Sequence, residues 1–136
     1  MDKLIVYTDG GARGNPGPAG IGVVFYNSKK EIVKKFGKYV GDDMTNNQAE
    51  YIAVIEALAA AKELGVKELD FFLDSELVVK QLNGEYKVKN KELSSLFVKI
   101  WNATQSFSKV KYRHVPREEN KEADRLVNDA IDREKR

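Results

Sequence analysis

Not one cysteine occurs in this chain of 136 residues. Disulfides and thiolate metal sites are therefore excluded, nothing redox-active is implied, and a reducing compartment is the simplest reading. Long apolar runs are also missing: nothing approaches the roughly 20 residues of a membrane span, and the opening MDKLIVYTDGG has no signal-type stretch. The expectation is a soluble, cytoplasmic protein without membrane contact. Repeats, low-complexity tracts and linkers are absent, so the length fits one domain over 1–136, expected as a monomer. Charge is nearly balanced at +2, which permits a polyanionic partner without demanding one.

What is present is a succession of short, well-punctuated elements. Lys3 to Thr8 is a β-branched apolar run ending at Asp9 and a breaker-rich stretch, GGARGNPGPAG, and reads as a buried strand followed by a loop. Gly20 to Tyr26 and Glu31 to Val40, joined by a short polar link, suit an antiparallel hairpin. Thr45 and Gln48 form a capping box that predicts a helix to about Leu64, with Gly65 as its stop. Lys67 to Leu73 is a further strand, and Asp74-Ser75 hands over to a short helix ended by Gly84. Leu93, Leu96, Phe97, Ile100 and Trp101 keep the spacing of a core-facing helical stripe. Val110 to Val115 is the last strand, Pro116 to Asn120 a polar loop, and the final helix turns Ala123, Leu126, Val127, Ala130 and Ile131 to one side. The expected fold is α/β: a five-stranded mixed sheet, three antiparallel strands then two parallel, with helices on both faces.

Four acids stand in separate contexts: Asp9 in YTDGG, Glu50 in TNNQAE, Asp74 in FFLDS and Asp124 in NKEAD. Each falls at an element end that such a sheet brings to one rim, outside the carboxyl ends of its strands. Taken singly each has a plainer reading. Glu50 and Asp124 lie in first helical turns, which favour a carboxylate, and Asp74 could be a cap. Asp9 is harder to dismiss, because Gly10 and Gly11 after it let a ligand approach the backbone. Clustered carboxylates repel unless a cation neutralises them. With oxygen donors and no cysteine, Mg²⁺ or Mn²⁺ is favoured over zinc. Two such ions can hold the attacking water and the leaving oxygen of a phosphodiester displacement, which points to a nuclease.

Read as YTDGGARGNPGPAGIG, TNNQAEYIAVIEAL, DSELVVKQL and HVPREENKEADRL, the chain resembles the type 1 ribonuclease H family from end to end. The GNPGPAG and TNNxxE segments carry the specificity of that match. The resemblance implies hydrolysis of the RNA strand of RNA/DNA hybrids with two Mg²⁺ ions, leaving 3′-hydroxyl and 5′-phosphate ends. It places Asp9 at both ions, Asp124 at the one that activates water, and Glu50 with Asp74 at the one near the leaving group. His114, ten positions before Asp124, has the spacing of the family's mobile histidine, for proton transfer or product release, with a half-buried strand residue as the plainer alternative. Arg117 and Asn120 fit the R-x-x-N-x-x-A-D pattern of the archaeal-like subgroup and join the expected substrate contacts. Asn15, Asn46 and Asn47 are implied at the minor groove and Thr45 at a phosphate of the DNA strand, with Gly11 and Ser75 beside them. Two departures stand out. The basic handle of the best-known bacterial enzymes is replaced by a short connector with Lys87, Lys89 and Lys91 beside Tyr86. Glu76 also stands where many relatives have an uncharged polar residue. Activity on double-stranded RNA, another same-fold nuclease activity, or an inactive binding module are the alternatives left open.

Overall fold

The computed structural model describes residues 2–135; Met1 and Arg136, the ends of the expected 1–136 span, lie outside the described residues. Its strands are β1 (Lys3–Ala12), β2 (Gly17–Tyr26), β3 (Ile32–Met44), β4 (Glu68–Leu73) and β5 (Lys109–His114). Its helices are α1 (Asn46–Leu64), α2 (Glu76–Leu82), α3 (Lys91–Thr104) and α4 (Lys121–Glu134), with a 3-10 turn at Arg117–Glu119 before α4. The strands form one sheet in the order β3-β2-β1-β4-β5. β1 to β3 pair antiparallel, and β4 and β5 run parallel to β1, each reached through helices as parallel crossovers require.

The helix boundaries follow local chemistry. Thr45 accepts from the Gln48 N–H while Gln48 returns a bond to the Thr45 N–H, and Gly65 closes α1 in the left-handed conformation, φ 74°. α1 buries Ala49, Tyr51, Val54, Ala57 and Leu58 over more than half of its circumference, as a helix packed against both the sheet and α3 must. Leu4, Val6, Phe71, Tyr51 and Leu58 lie in the core between the sheet and α1. α4 covers the other face, over β1, β2 and β3.

Two expectations needed correction. The glycine-rich stretch after Asp9 is not loop at its start: Gly10, Gly11 and Ala12 continue β1, paired with Ile21, Gly20 and Ala19. Trp101 is not core; it is 61% exposed, while Ile100 beside it is buried. Counting 3.6 residues per turn, Trp101 lies roughly 80° round α3 from Leu93, at the margin of the buried stripe, where the helix overhangs the outer strand β5.

Two close approaches set the positions of the helices. A methyl group on Gly10 would lie 2.3 Å from the backbone of Ala49 in α1, and one on Gly22 would lie 2.1 Å from the Ala123 carbonyl in α4. Gly22 is also the residue paired with Asp9. Helix and strand meet backbone to backbone at both points, which no side chain permits. Gly22→Ala is accordingly expected to destabilise the fold by about 1–3 kcal/mol through overpacking, read as a lower urea midpoint. An unchanged midpoint would show that α4 does not rest on this residue.

Candidate active site

The two contacts bracket Asp9. Successive residues of a strand face opposite sides, so Gly10 meets α1 while Asp9 faces α4. Seating α1 on Gly10 brings Glu50 to the second half of β1, where its Oε1 accepts the Gly10 N–H at 2.5 Å. Seating α4 on Gly22 brings Asp124, in its first turn, to the same cleft. Asp74 arrives directly after β4, the parallel neighbour of β1. Asp9, Glu50 and Asp74 each present a carboxylate oxygen within 4.8 Å of the other two. Asp124 lines the same cleft of about 470 Å³ and adds to the repulsion at Asp9.

The electrostatics of this arrangement are unfavourable by themselves. Burial, then the charges of Asp74 and Asp124, push the Asp9 carboxyl up to about 7, although the nearby Glu50 carboxyl works the other way. Glu50 is raised well above the ordinary carboxylate range, first by burial and then by Asp9; the Gly10 N–H does not offset this. Its second oxygen, Oε2, is buried without a hydrogen-bond partner. Carboxylates crowded to within 4.8 Å of one another, with a buried Glu50 oxygen that has no donor, fit a hard cation. The cluster can hold a metal.

The remaining residues expected at the site fall into distinct positions. Gly11, Asn46, Asn47, Ser75 and Arg117 line the acidic cleft. Ser75 also caps α2, accepting from the Val78 N–H. Asn15 and Thr45 line an adjoining cleft of about 570 Å³ that shares Asn46 and Asn47 with the first. Asn46 Oδ1 accepts the Ala12 N–H, and Asn15 Oδ1 accepts the Asn46 N–H. Both carbonyl oxygens are thereby engaged, and the side-chain amide N–H groups are left to donate outward.

Two residues sit differently from expectation. Asn120 does not face a substrate; it is 2% exposed, and its amide donates to both the Thr8 carbonyl (2.9 Å) and Asp74 Oδ2 (3.0 Å). It ties β1 at Thr8 to the Asp74 carboxylate, so it positions an acid. His114 is not a half-buried strand residue. It is exposed at the end of β5, opposite Leu73, and does not line the acidic cleft, whereas Arg117 three residues later does.

Among the lining residues the sequence did not single out are Arg13, Gln81 and Asn90. Arg13 borders the acidic cleft and is held there by Asp132 and Asn128 of α4; a lone arginine in a glycine-rich loop was the available signal. Asn90, which caps α3, and the buried Gln81, bonded to the Tyr51 hydroxyl, border the second cleft beside Lys87 and Lys89. No helix among the described residues is long and apolar enough to cross a membrane.

Comparison with known proteins agrees with this geometry. The family described as reverse transcriptase-like matches residues 7–130. Bifunctional protein Rv2228c of Mycobacterium tuberculosis is 42% identical over 130 residues, covering 96% of this chain but only 36% of its own length. The chain thus spans about a third of that relative. A ribonuclease H of Clostridium botulinum is 35% identical over 153 residues, covering 97% of both chains. The crystal structure of LC11-RNase H1 in complex with an RNA/DNA hybrid superposes with a TM-score of 0.93 at 43% identity, covering 98% of this chain and 99% of that one. A mixed sheet whose rim gathers these acids, on a chain alike over nearly its whole length to ribonucleases H, belongs to the type 1 ribonuclease H family.

Proposed function

We propose that this protein is an endoribonuclease that hydrolyses the RNA strand of RNA/DNA hybrids, leaving 3′-hydroxyl and 5′-phosphate ends. The observation that carries the reading is the convergence of Asp9, Glu50 and Asp74, each with a carboxylate oxygen within 4.8 Å of the other two, together with a buried Glu50 Oε2 that has no donor. The relative solved with an RNA/DNA hybrid supports the choice of substrate. Asp9, Glu50, Asp74 and Asp124 would hold two Mg²⁺ ions, for which Mn²⁺ can substitute, and these supply an activated water and a neutralised leaving oxygen.

This chain's own residues do the rest of the work. Asn120 fixes the Asp74 carboxylate through its amide, so that acid enters the reaction already oriented. Asn15 and Asn46, their carbonyl oxygens occupied, offer N–H donors to the 2′-hydroxyls and base acceptors of a minor groove. Asn47 stands between the two clefts. Thr45, at the amino end of α1, meets a phosphate of the DNA strand where the helix dipole favours negative charge. Lys87 and Lys89 border the cleft that Asn15 and Thr45 line and bring positive charge to it. Arg117 faces the acids and steadies phosphate charge. His114, outside the cleft, serves proton transfer or release from its rim. On this reading the protein works as a monomer in the cytoplasm, which the absence of cysteine suits.

Two outcomes are expected of Asp9→Asn. Hybrid cleavage should fall by at least about 10²–10³-fold, the scale of losing a principal electrostatic stabiliser, while hybrid affinity in gel-shift titration stays close to the parent's; near-normal turnover would refute the assignment. The second outcome concerns stability. The Asp9 carboxyl sits at about 7 in the folded protein against about 3.9 unfolded, so ionising it opposes folding. That opposition is absent below about pH 4, grows as pH rises, and is complete above about pH 7. In chelator, Asp9→Asn should therefore melt higher than the parent at pH 8, by a free energy on the order of a few kcal/mol. The gain should vanish near pH 4 and shrink when Mg²⁺ is added. A variant that melts lower than the parent at pH 8, with and without Mg²⁺, contradicts this electrostatic picture.

A further inference from the structure

α4 covers only part of its face of the sheet, lying over β1, β2 and β3. Beyond it, the first half of β1 and the same face of β4 and β5 are lined by aromatic and cationic side chains in register. One row across the strands runs Tyr7, Phe72, Arg113, and the next runs Tyr26, Ile5, Asp70, Lys111. Tyr7 stacks on Phe72 with ring centroids 5.0 Å apart and meets Tyr26 edge-on at 5.5 Å. All three rings are half-buried, around a cleft of about 380 Å³ that Ile5, Lys30 and Glu119 complete.

Along the outer strand, Lys109, Lys111 and Arg113 alternate with inward residues and so share this face, about 6.6 Å apart at the usual strand rise. None of the three makes an ion pair among the described residues. Their mutual repulsion is felt: Lys111 is held below the ordinary lysine range, chiefly by the charge of Lys109, with Arg113 contributing. Asp70, the acid in the second row, is taken by Lys3 at 2.9 Å. Glu68 and Glu119 stand at the two margins. Cations on an edge strand also discourage pairing with another sheet. That role explains the lysines but not three aromatic rings set beside them.

The row of charge leads to the acids. Arg113 precedes His114, and His114 lies opposite Leu73, the residue before Asp74. A cationic track beside half-buried aromatic rings that line an open cleft is the chemistry that binds unpaired nucleic acid, phosphates to the cations and bases to the rings. We propose that this open face of β1, β4 and β5 takes a stretch of single-stranded RNA continuing out of the hybrid from the strand held at the acids. The inference rests on the hybrid-cleaving function proposed above. It adds a preference for hybrids whose RNA strand runs on unpaired.

The test uses the whole protein and its Lys111→Gln/Arg113→Gln variant, with three substrates: a blunt hybrid, the same hybrid with an RNA tail, and one with a DNA tail. The parent should cleave the RNA-tailed hybrid with a KM about fivefold lower than the blunt one, a gain on the scale of one stacked base. The variant should lose that advantage while keeping its kcat and KM on the blunt substrate. Binding of a single-stranded RNA 20-mer, followed by anisotropy, should show a log–log salt slope shallower by about 1.4 in the variant, about 0.7 for each cation removed. Phe72→Leu should weaken the same RNA about fivefold with its slope unchanged. Equal KM for tailed and blunt hybrids in the parent, or equal RNA affinity in parent and variant, overturns the proposal. A DNA tail as effective as the RNA tail overturns its assignment to the cleaved strand. Failure to cleave the blunt hybrid at all would instead count against the catalytic reading, and the binding arm would still decide whether the face takes RNA.

Discussion

Two missing side chains hold the architecture of this protein in place. At Gly10 the first strand touches α1, and at Gly22 its neighbour touches α4, each closer than any Cβ would allow. Because these residues lie beside and opposite Asp9, the contacts that pack the helices also decide which carboxylates meet. Glu50 and Asp124, 74 residues apart in sequence, reach one cleft because two helices on opposite faces are pinned to the same few residues of sheet. Packing and chemistry are here one constraint, and a change that lifts either helix displaces an acid.

That convergence comes at the expense of stability. Burial and mutual repulsion raise the proton affinity of Asp9 and Glu50, and one Glu50 oxygen is left without a donor. A protein selected for stability alone would not retain such a cluster; a binding site for a cation needs one, already formed and partly dehydrated. The polar neighbours follow the same logic. Asn120 spends its amide on Thr8 and Asp74, and Asn15 and Asn46 spend their carbonyl oxygens on backbone N–H groups. Each is fixed on one side by the fold. On the other side, Asn15 and Asn46 keep N–H groups for a ligand.

Much of this was legible in the sequence where a single local rule governs the outcome. The Thr45 and Gln48 capping box, the Gly65 stop and the alternation of apolar runs with helices gave element types and the mixed sheet, because capping and periodicity act over a few residues. The four acids stood out because the sequence places each near an expected element end on one side of that sheet, although β1 in fact runs on past Asp9 to Ala12. Features set by contacts between distant segments were not legible. Gly10 to Ala12 read as loop because glycine usually breaks a strand; here their pairing with β2 and the approach of α1 outweigh that preference. Trp101 kept helical spacing with its apolar neighbours, but where the buried stripe ends depends on how far α3 overhangs β5. Asn120 and Arg117 share one short motif, and only the turn at Arg117–Glu119 decides that one points inward and the other into the cleft.

The account depends on carboxyl groups that hold protons near neutrality and give them up to a cation. Calorimetric titration of the protein with Mg²⁺, in buffers of different ionisation enthalpy, counts the protons released on binding. With Asp9 at about 7 and Glu50 raised well above the ordinary carboxylate range, the account predicts release of about one proton or more per protein at pH 6, and fewer as the pH rises to 9. Binding that releases no proton at pH 6, or no binding at either pH, would contradict it.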